Sequence, residues 1–213
     1  MVNVSGLFAV KRLTTNVTGH FAFFADEVAK QDYTLALIFL LYIFAFFFGA
    51  FCSNFIVEAM SRRNPRWTNI VPVGIEIIVL TIVASLSPDS VDLFGNAIAC
   101  ALLFAMGVQN ALVTSISGAI VRTTHLTGLF TDLGIELSQL FFFRKPEQQQ
   151  KLRSSVQLRF TIIVFFFLGG IAGGVGFIYL HVRILLLAVA LLIGGLLYDT
   201  VKFKVVALRR KYR

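Results

Sequence analysis

Apolar residues run in long blocks over 34–60, 69–86, 93–118, 156–180 and 182–203. Crossing a hydrocarbon core of about 30 Å takes roughly 20 mostly apolar residues, so the pattern predicts five membrane-spanning helices. Two other segments, 18–30 and 126–143, mix apolar positions with Asp26, Glu27, Asp132 and Glu136. A helix facing lipid excludes such charges. These segments are expected to be short broken or re-entrant helices buried in protein, not full crossings.

Each of them opens at nearly the same phrase, "TTNVTG" at 14–19 and "TTHLTG" at 123–128. Aligning the phrases matches Thr14, Thr15, Thr18, Gly19, Phe21 and Glu27 with Thr123, Thr124, Thr127, Gly128, Phe130 and Glu136, six identities in fourteen positions. Further on, "FFFGAFCSN" (46–54) resembles "FFLGGIAGG" (166–174), the longer basic loop 144–155 accounting for the added residues. The order of features is therefore the same twice, which is how an internal duplication shows itself in many membrane proteins. The chain is expected to be one all-α transmembrane domain over 1–213, with repeat one at 1–86, repeat two at 93–203 and a basic cytoplasmic tail at 204–213.

Each repeat would hold a helix ending near its motif, a motif segment, and two apolar helices. Three crossings per repeat is an odd number, so the second repeat enters the membrane upside down. That gives about six membrane-spanning helices in two inverted three-helix repeats, each with a short broken or re-entrant helix at a TTxxTG motif. Asn3 in "VN" aligns with Asn110 in "QN" if two residues are inserted, yet a long apolar run precedes Asn110 and almost nothing precedes Asn3. The first helix reads as half missing, and the natural chain is expected to begin upstream of Met1. The N-terminus has no basic region ahead of its apolar residues, so a cleaved signal peptide is not expected.

Composition agrees with a membrane location: 57% of the 213 residues are hydrophobic, 23 are Phe, and only 14% are charged. The net charge of +8 comes from short clusters beside apolar blocks, where anionic lipid headgroups and topology explain it and nucleic acid does not. If the motif segments do not cross, 15 of the 19 basic residues fall on one side and only Lys11, Arg12, Lys30 and Arg183 on the other. The basic side is then the cytoplasm by the positive-inside rule, and the C-terminus lies there. Were both motif segments to cross, "SRRNPR" (61–66) would change sides and the bias would shrink. A multi-pass membrane protein with its basic side in the cytoplasm is expected. Cys52 and Cys100 lie in apolar blocks without metal or redox spacing, so neither a disulfide nor a metal is implied.

Where a helix breaks inside a membrane, its freed N–H and C=O groups need side chains, water or ligand as partners. Threonine, asparagine and glycine supply them, and a helix N-terminus offers partial positive charge to an anionic group. Thr14, Thr15, Asn16, Thr18 and Gly19, facing Thr123, Thr124, His125, Thr127 and Gly128, with Asn110 alongside, are the candidate substrate-binding residues. The competing reading is that these small residues only let helices cross closely. His125, Asp132, Glu136 and Gln139 fall along one helical stripe, as do Asn16, His20 and Glu27. Glu27, Asp132 and Glu136 are candidates for proton or cation coupling, weighed against plain interfacial carboxylates. Glu76 joins them because it sits in the middle of "VPVGIEIIVLTIVA", where an unpaired charge is costly, so it should be protonated or face a partner. Small residues in "GGIAGGVG" and "GAFCS" point to close helix contact, and "RKPEQQQKLR" reads as a solvated cytoplasmic loop. No P-loop, Rossmann fingerprint, HExxH or nucleophile elbow is present.

With "VNVSGLFAV", "TTNVTGHFAFF", "FFFGAF", "GVQNALV" and "VRTTHLTGLFTDLG" in hand, the chain resembles the YoaK family (DUF1275) of small bacterial multi-spanning membrane proteins of unknown function. The resemblance covers nearly the whole chain, and its most specific parts are "QNA" followed by "RTTHLTG". The family's usual "GYxNA" or "GYxDA" would place "VN" at the end of a longer first helix. The resemblance implies an inner-membrane protein but supplies no substrate and no catalytic residue. The expectation drawn from the residues is a small secondary transporter or channel-like permease for a small solute or ion, with a central site between the two motifs. No enzyme activity, cofactor or metal is expected; membrane lipids are the other partners, and a homodimer fits so short a transporter. Two alternatives remain: a membrane enzyme or cofactor- or metal-binding protein using His20, His125, Asp132 and Glu136, and a structural or partner-binding membrane protein.

Overall fold

The structure, a computed structural model, describes residues 1–63, 67–117, 126–143 and 145–211, with residues from 200 onward described as backbone. Among these residues the chain is built of helices: α1 Val2–Val10, α2 Val17–Ala29, α3 Tyr33–Ser61, α4 Ile70–Ala84, α5 Pro88–Leu93, α6 Gly95–Ile116, α7 Leu126–Phe142, α8 Pro146–Leu180 and α9 Leu185–Lys211, with a short 3₁₀ turn at His181–Ile184. The boundaries have local causes. Asn16 caps α2 by accepting the Gly19 N–H at 2.9 Å, and Asp32 caps α3 by accepting that of Leu35 at 3.0 Å, each satisfying a donor the first turn leaves free. Lys11, Gln31 and His181 take positive φ values of 54°, 63° and 47°, and each turns the chain where one helix stops and another begins.

Three helical stretches are long and apolar enough to cross a membrane: Tyr33–Ser61, Gly95–Ile116 and Pro146–Asp199. The expected spans at 156–180 and 182–203 both lie in the third stretch, which turns at His181. The expected span at 69–86 is the 15-residue helix α4, about 22 Å long at 1.5 Å per residue. The supposed solvated loop at 144–155 is a correction: from Pro146 onward it is the first turns of α8. Proline is favoured at the first helical position, Glu147 suits the first turn, and the glutamines and lysine that follow are good helix formers.

Helices α3 and α6 form the centre and run parallel. The Tyr42 hydroxyl donates to Asn96 Oδ1 at 2.6 Å, the rings of Phe48 and Phe104 lie 6.0 Å apart, and Gly107 rests against the backbone of Phe46 and Ala50. Residue numbers thus rise together along both helices. A methyl group on Gly49 would overlap the Phe104 carbonyl, and one on Gly107 the Phe46 carbonyl, so the two backbones touch where glycine permits it. Because α5 has only six residues, α4 alone returns the chain between α3 and α6.

Helices α1 and α8 pair in the same sense. Val4 lies over Gly170 and Gly174, where a methyl group would touch it, and Phe8 meets Phe177 with ring centroids 5.6 Å apart. Helix α4 packs on α6 and α9, and Leu80, Val83 and Ala84 join Ile98, Leu102, Met106, Val182 and Leu185 in one core cluster. Helix α2 lies along α3, and α7 along α8. On the outside of α3, Phe44, Phe47, Phe51 and Phe55 are exposed, the face a membrane-crossing helix offers to lipid.

Candidate functional site

The first motif folds back beneath the end of α1. Asn3 Oδ1 accepts the Thr14 N–H at 2.9 Å, and the Thr14 hydroxyl donates to the Val2 carbonyl at 3.4 Å. Thr14 is fully buried, Thr15 and Gly19 are half-buried, and Asn16 and Thr18 are exposed. The motif therefore spends Thr14 and Asn16 on backbone groups that the break between α1 and α2 leaves open. A side chain on Gly6 would collide with Thr14, so the turn is tight.

Behind the motif sits a cluster the sequence did not foretell. His20 is 1% exposed, and its Nε2 lies 2.5 Å from the Leu13 carbonyl. A carbonyl only accepts, so Nε2 carries the hydrogen. Nδ1 has no partner. The His20 ring packs against Tyr42 at 5.1 Å and Phe39 at 6.1 Å, and the Arg12 guanidinium stands over the same Phe39 ring at 5.6 Å. Arg12 Nη1 donates to the Lys11 carbonyl at 3.3 Å, while Nε is buried and has no partner among the described residues. The Arg12 side chain also hydrogen-bonds that of Tyr42, and its charge acts on His20. Tyr42 lies nine residues into α3, about 14 Å along its axis, so the cluster is well below the end of the bundle. One signal in the sequence could have found it: an arginine stands just before the paired threonines in both halves, Arg12 in "KRLTT" and Arg122 in "VRTT".

The carboxylates part company. Glu27 and Asp26 both bind Lys30, at 3.2 and 2.5 Å, and these hydrogen bonds, that to Asp26 first, hold the lysine above its ordinary pKa. Asp132 and Glu136 bind Arg159 of α8 at 2.8 and 2.9 Å, and Glu136 also accepts the Ser155 hydroxyl at 2.6 Å. Glu76 differs from all of these: it is 1% exposed in the middle of α4, and its Oε2 has no hydrogen-bond partner among the described residues. Ser53 on α3 is likewise buried with an unpartnered hydroxyl.

In the second motif Thr127 is exposed and Gly128 half-buried, both in the first turn of α7. Thr123, Thr124 and His125 lie outside the described residues. Asn110 is half-buried on α6, its carbonyl accepting the Thr114 hydroxyl at 2.6 Å. Among the described residues no group of three or more His, Cys, Asp and Glu side chains gathers closely enough to hold a metal ion.

Comparison with curated proteins and with solved structures finds no match. The family described as "Protein of unknown function (DUF1275)" matches residues 1–198. That match runs through both motifs and the first half of α9, and the chain belongs to this family.

Proposed function

We propose that the protein is a small secondary transporter or channel-like permease for a small solute or ion, built from two inverted repeats. The observation that carries the reading is Glu76, a buried mid-helix carboxylate whose Oε2 has no hydrogen-bond partner among the described residues. Ionisable side chains placed inside a membrane without a structural partner mark proton and ion pathways. A group kept only for packing would be apolar or fully paired.

The helix pairings support the repeat. Exchanging α1, α2, α3 and α4 for α6, α7, α8 and α9 turns the α3–α6 contact into α8–α1, α2–α3 into α7–α8, and α4–α6 into α9–α1, and every one of these pairs touches. The α4–α9 and α1–α6 contacts map onto themselves, as pairs astride a two-fold axis do. Inverted repeats with short helices opening at polar motifs are a recurrent transporter plan. In this reading the motif residues and Glu76 serve the solute and its coupling ion, while Asp132 and Glu136 hold α7 against α8 through Arg159.

The test uses purified full-length protein in vesicles loaded with a pH-sensitive dye, challenged with inorganic anions, monocarboxylates, amino acids, sugars and monovalent cations. At least one solute should drive proton movement, and Glu76→Gln should abolish it while leaving the protein monodisperse. Solute movement without protons overturns the coupling role of Glu76. No movement for any solute, with Glu76→Leu simply more stable, overturns the transport reading in favour of a structural membrane protein.

A further inference from the structure

The two motif helices each bury a single residue among the described ones: His20 in α2 and Leu129 in α7. When "TTNVTG" is laid on "TTHLTG", these two residues fall at the same position. Packing at that position is therefore met by leucine in one half. The imidazole in the other half adds something packing does not need, and it leaves a nitrogen, Nδ1, buried without a partner.

Arg12 stands beside it on the shared Phe39 ring, with a buried Nε that also lacks a partner. The ion pairs of the described residues are made by Lys30 and Arg159, and none involves Arg12. A buried donor left without an acceptor, as Nε is, is costly, and a bound anion relieves that cost. Full burial and the neighbouring guanidinium both disfavour a second proton on His20, so Nδ1 presents a lone pair. The two open groups are thus unlike: Arg12 Nε offers a hydrogen, and His20 Nδ1 asks for one. A bare halide or a fully deprotonated oxyanion can satisfy only the first.

We infer that the cluster of Arg12, His20, Phe39 and Tyr42 behind the first motif binds a small oxyanion that carries a hydroxyl group, such as hydrogenphosphate, hydrogencarbonate or a 2-hydroxycarboxylate. One oxygen of the anion accepts from Arg12, and its hydroxyl donates to His20. The inference rests on the reading of the first motif as a solute site and supplies the substrate class.

The experiment is thermal unfolding of the detergent-purified full chain at neutral pH with sodium phosphate, hydrogencarbonate or lactate, against sulfate, nitrate and chloride at equal ionic strength. A ligand that prefers the folded state raises Tm by mass action, so the first three salts should add several degrees over the second three. Arg12→Lys, which keeps the charge and removes the Nε–H, and His20→Leu, which installs the other half's residue, should each erase the difference. If His20→Leu fails to purify as a monodisperse protein, Arg12→Lys and Arg12→Gln still decide.

No shift with any hydroxyl-bearing oxyanion overturns the site, and so does a shift that survives Arg12→Gln. Equal shifts with sulfate and nitrate overturn the role given to His20. A shift with phosphatidic acid micelles but not with inorganic phosphate supports the same chemistry and assigns its source to a lipid headgroup. Dye-loaded vesicles separate this inference from the transport reading. Stabilisation without flux leaves the site standing and removes transport, whereas flux of an unrelated solute without stabilisation does the reverse.

Discussion

The seam between α2 and α3 and the seam between α7 and α8 solve one problem in two chemistries. Both begin at a TTxxTG motif, and both bury one residue of the short helix. In the first seam the contact is aromatic: Phe23 stacks on Phe39 at 5.3 Å, and His20 rests on Tyr42 at 5.1 Å. In the second seam it is ionic, with Arg159 gripping Asp132 and Glu136 and Ser155 completing the set. Laying "FFFGAFCSN" on "FFLGGIAGG" places Phe39 and Arg159 at the same position. One seam therefore carries its arginine on the long helix, paired with carboxylates, and the other receives Arg12 from the turn before the motif, without a carboxylate. Each seam joins a short helix to the long helix after it, and among the described residues the buried side-chain nitrogens without a partner lie in the first.

The sharpest break of that comparison is Leu129→His, which puts the first seam's imidazole into the second. Leu129 is 4% exposed, so a histidine there is buried with no observed acceptor waiting for it. An unpaired polar group of this kind costs about 2–3 kcal/mol, and Tm should fall clearly in a detergent melt. If the melt is unchanged, the position is not packed as described and the correspondence with His20 loses its force.

Next in size is Arg159→Met. It removes the partner of two carboxylates, and Glu136 has a side chain only 15% exposed. Breaking a buried pair costs about 3–5 kcal/mol, reduced here to about 1–2 because Asp132 is half exposed and water reaches part of the set. The loss should be read as lower Tm with unchanged response to oxyanions. A lost oxyanion response would show that the second seam, too, is part of a binding site.

Much of this architecture was legible. The motif segments at 18–30 and 126–143 are α2 and α7 to within a residue, because polar caps and interrupted apolar runs leave local marks. The long apolar blocks at 34–60 and 93–118 correspond to α3 and α6, because an uninterrupted apolar run of that length leaves its own mark. What escaped depends on contacts distant in sequence. Arg159 meets Glu136 across the turn into α8, and nothing in "RKPEQQQKLR" betrays that the chain is already helical there. Arg12 reads as one more interfacial charge until α3 brings Phe39 beneath it. His20 was seen as one member of a stripe with Asn16 and Glu27. In the fold those three separate, Asn16 capping α2 at its exposed start, Glu27 bound to Lys30, and His20 alone turned inward.

The smallest expected effect is the most informative one. His20→Leu removes the hydrogen bond to the Leu13 carbonyl, a loss of about 1 kcal/mol, and also removes the buried, unpartnered Nδ1, a gain of similar size. The two offset, so the resting protein should melt within about 1 kcal/mol of the wild type, unlike Leu129→His, which has the cost without the compensation. Adding phosphate should then separate the two proteins, stabilising the wild type and leaving His20→Leu where it was. A strongly destabilised His20→Leu would mean that the Leu13 contact holds the first motif in place, and that the imidazole is spent on structure after all.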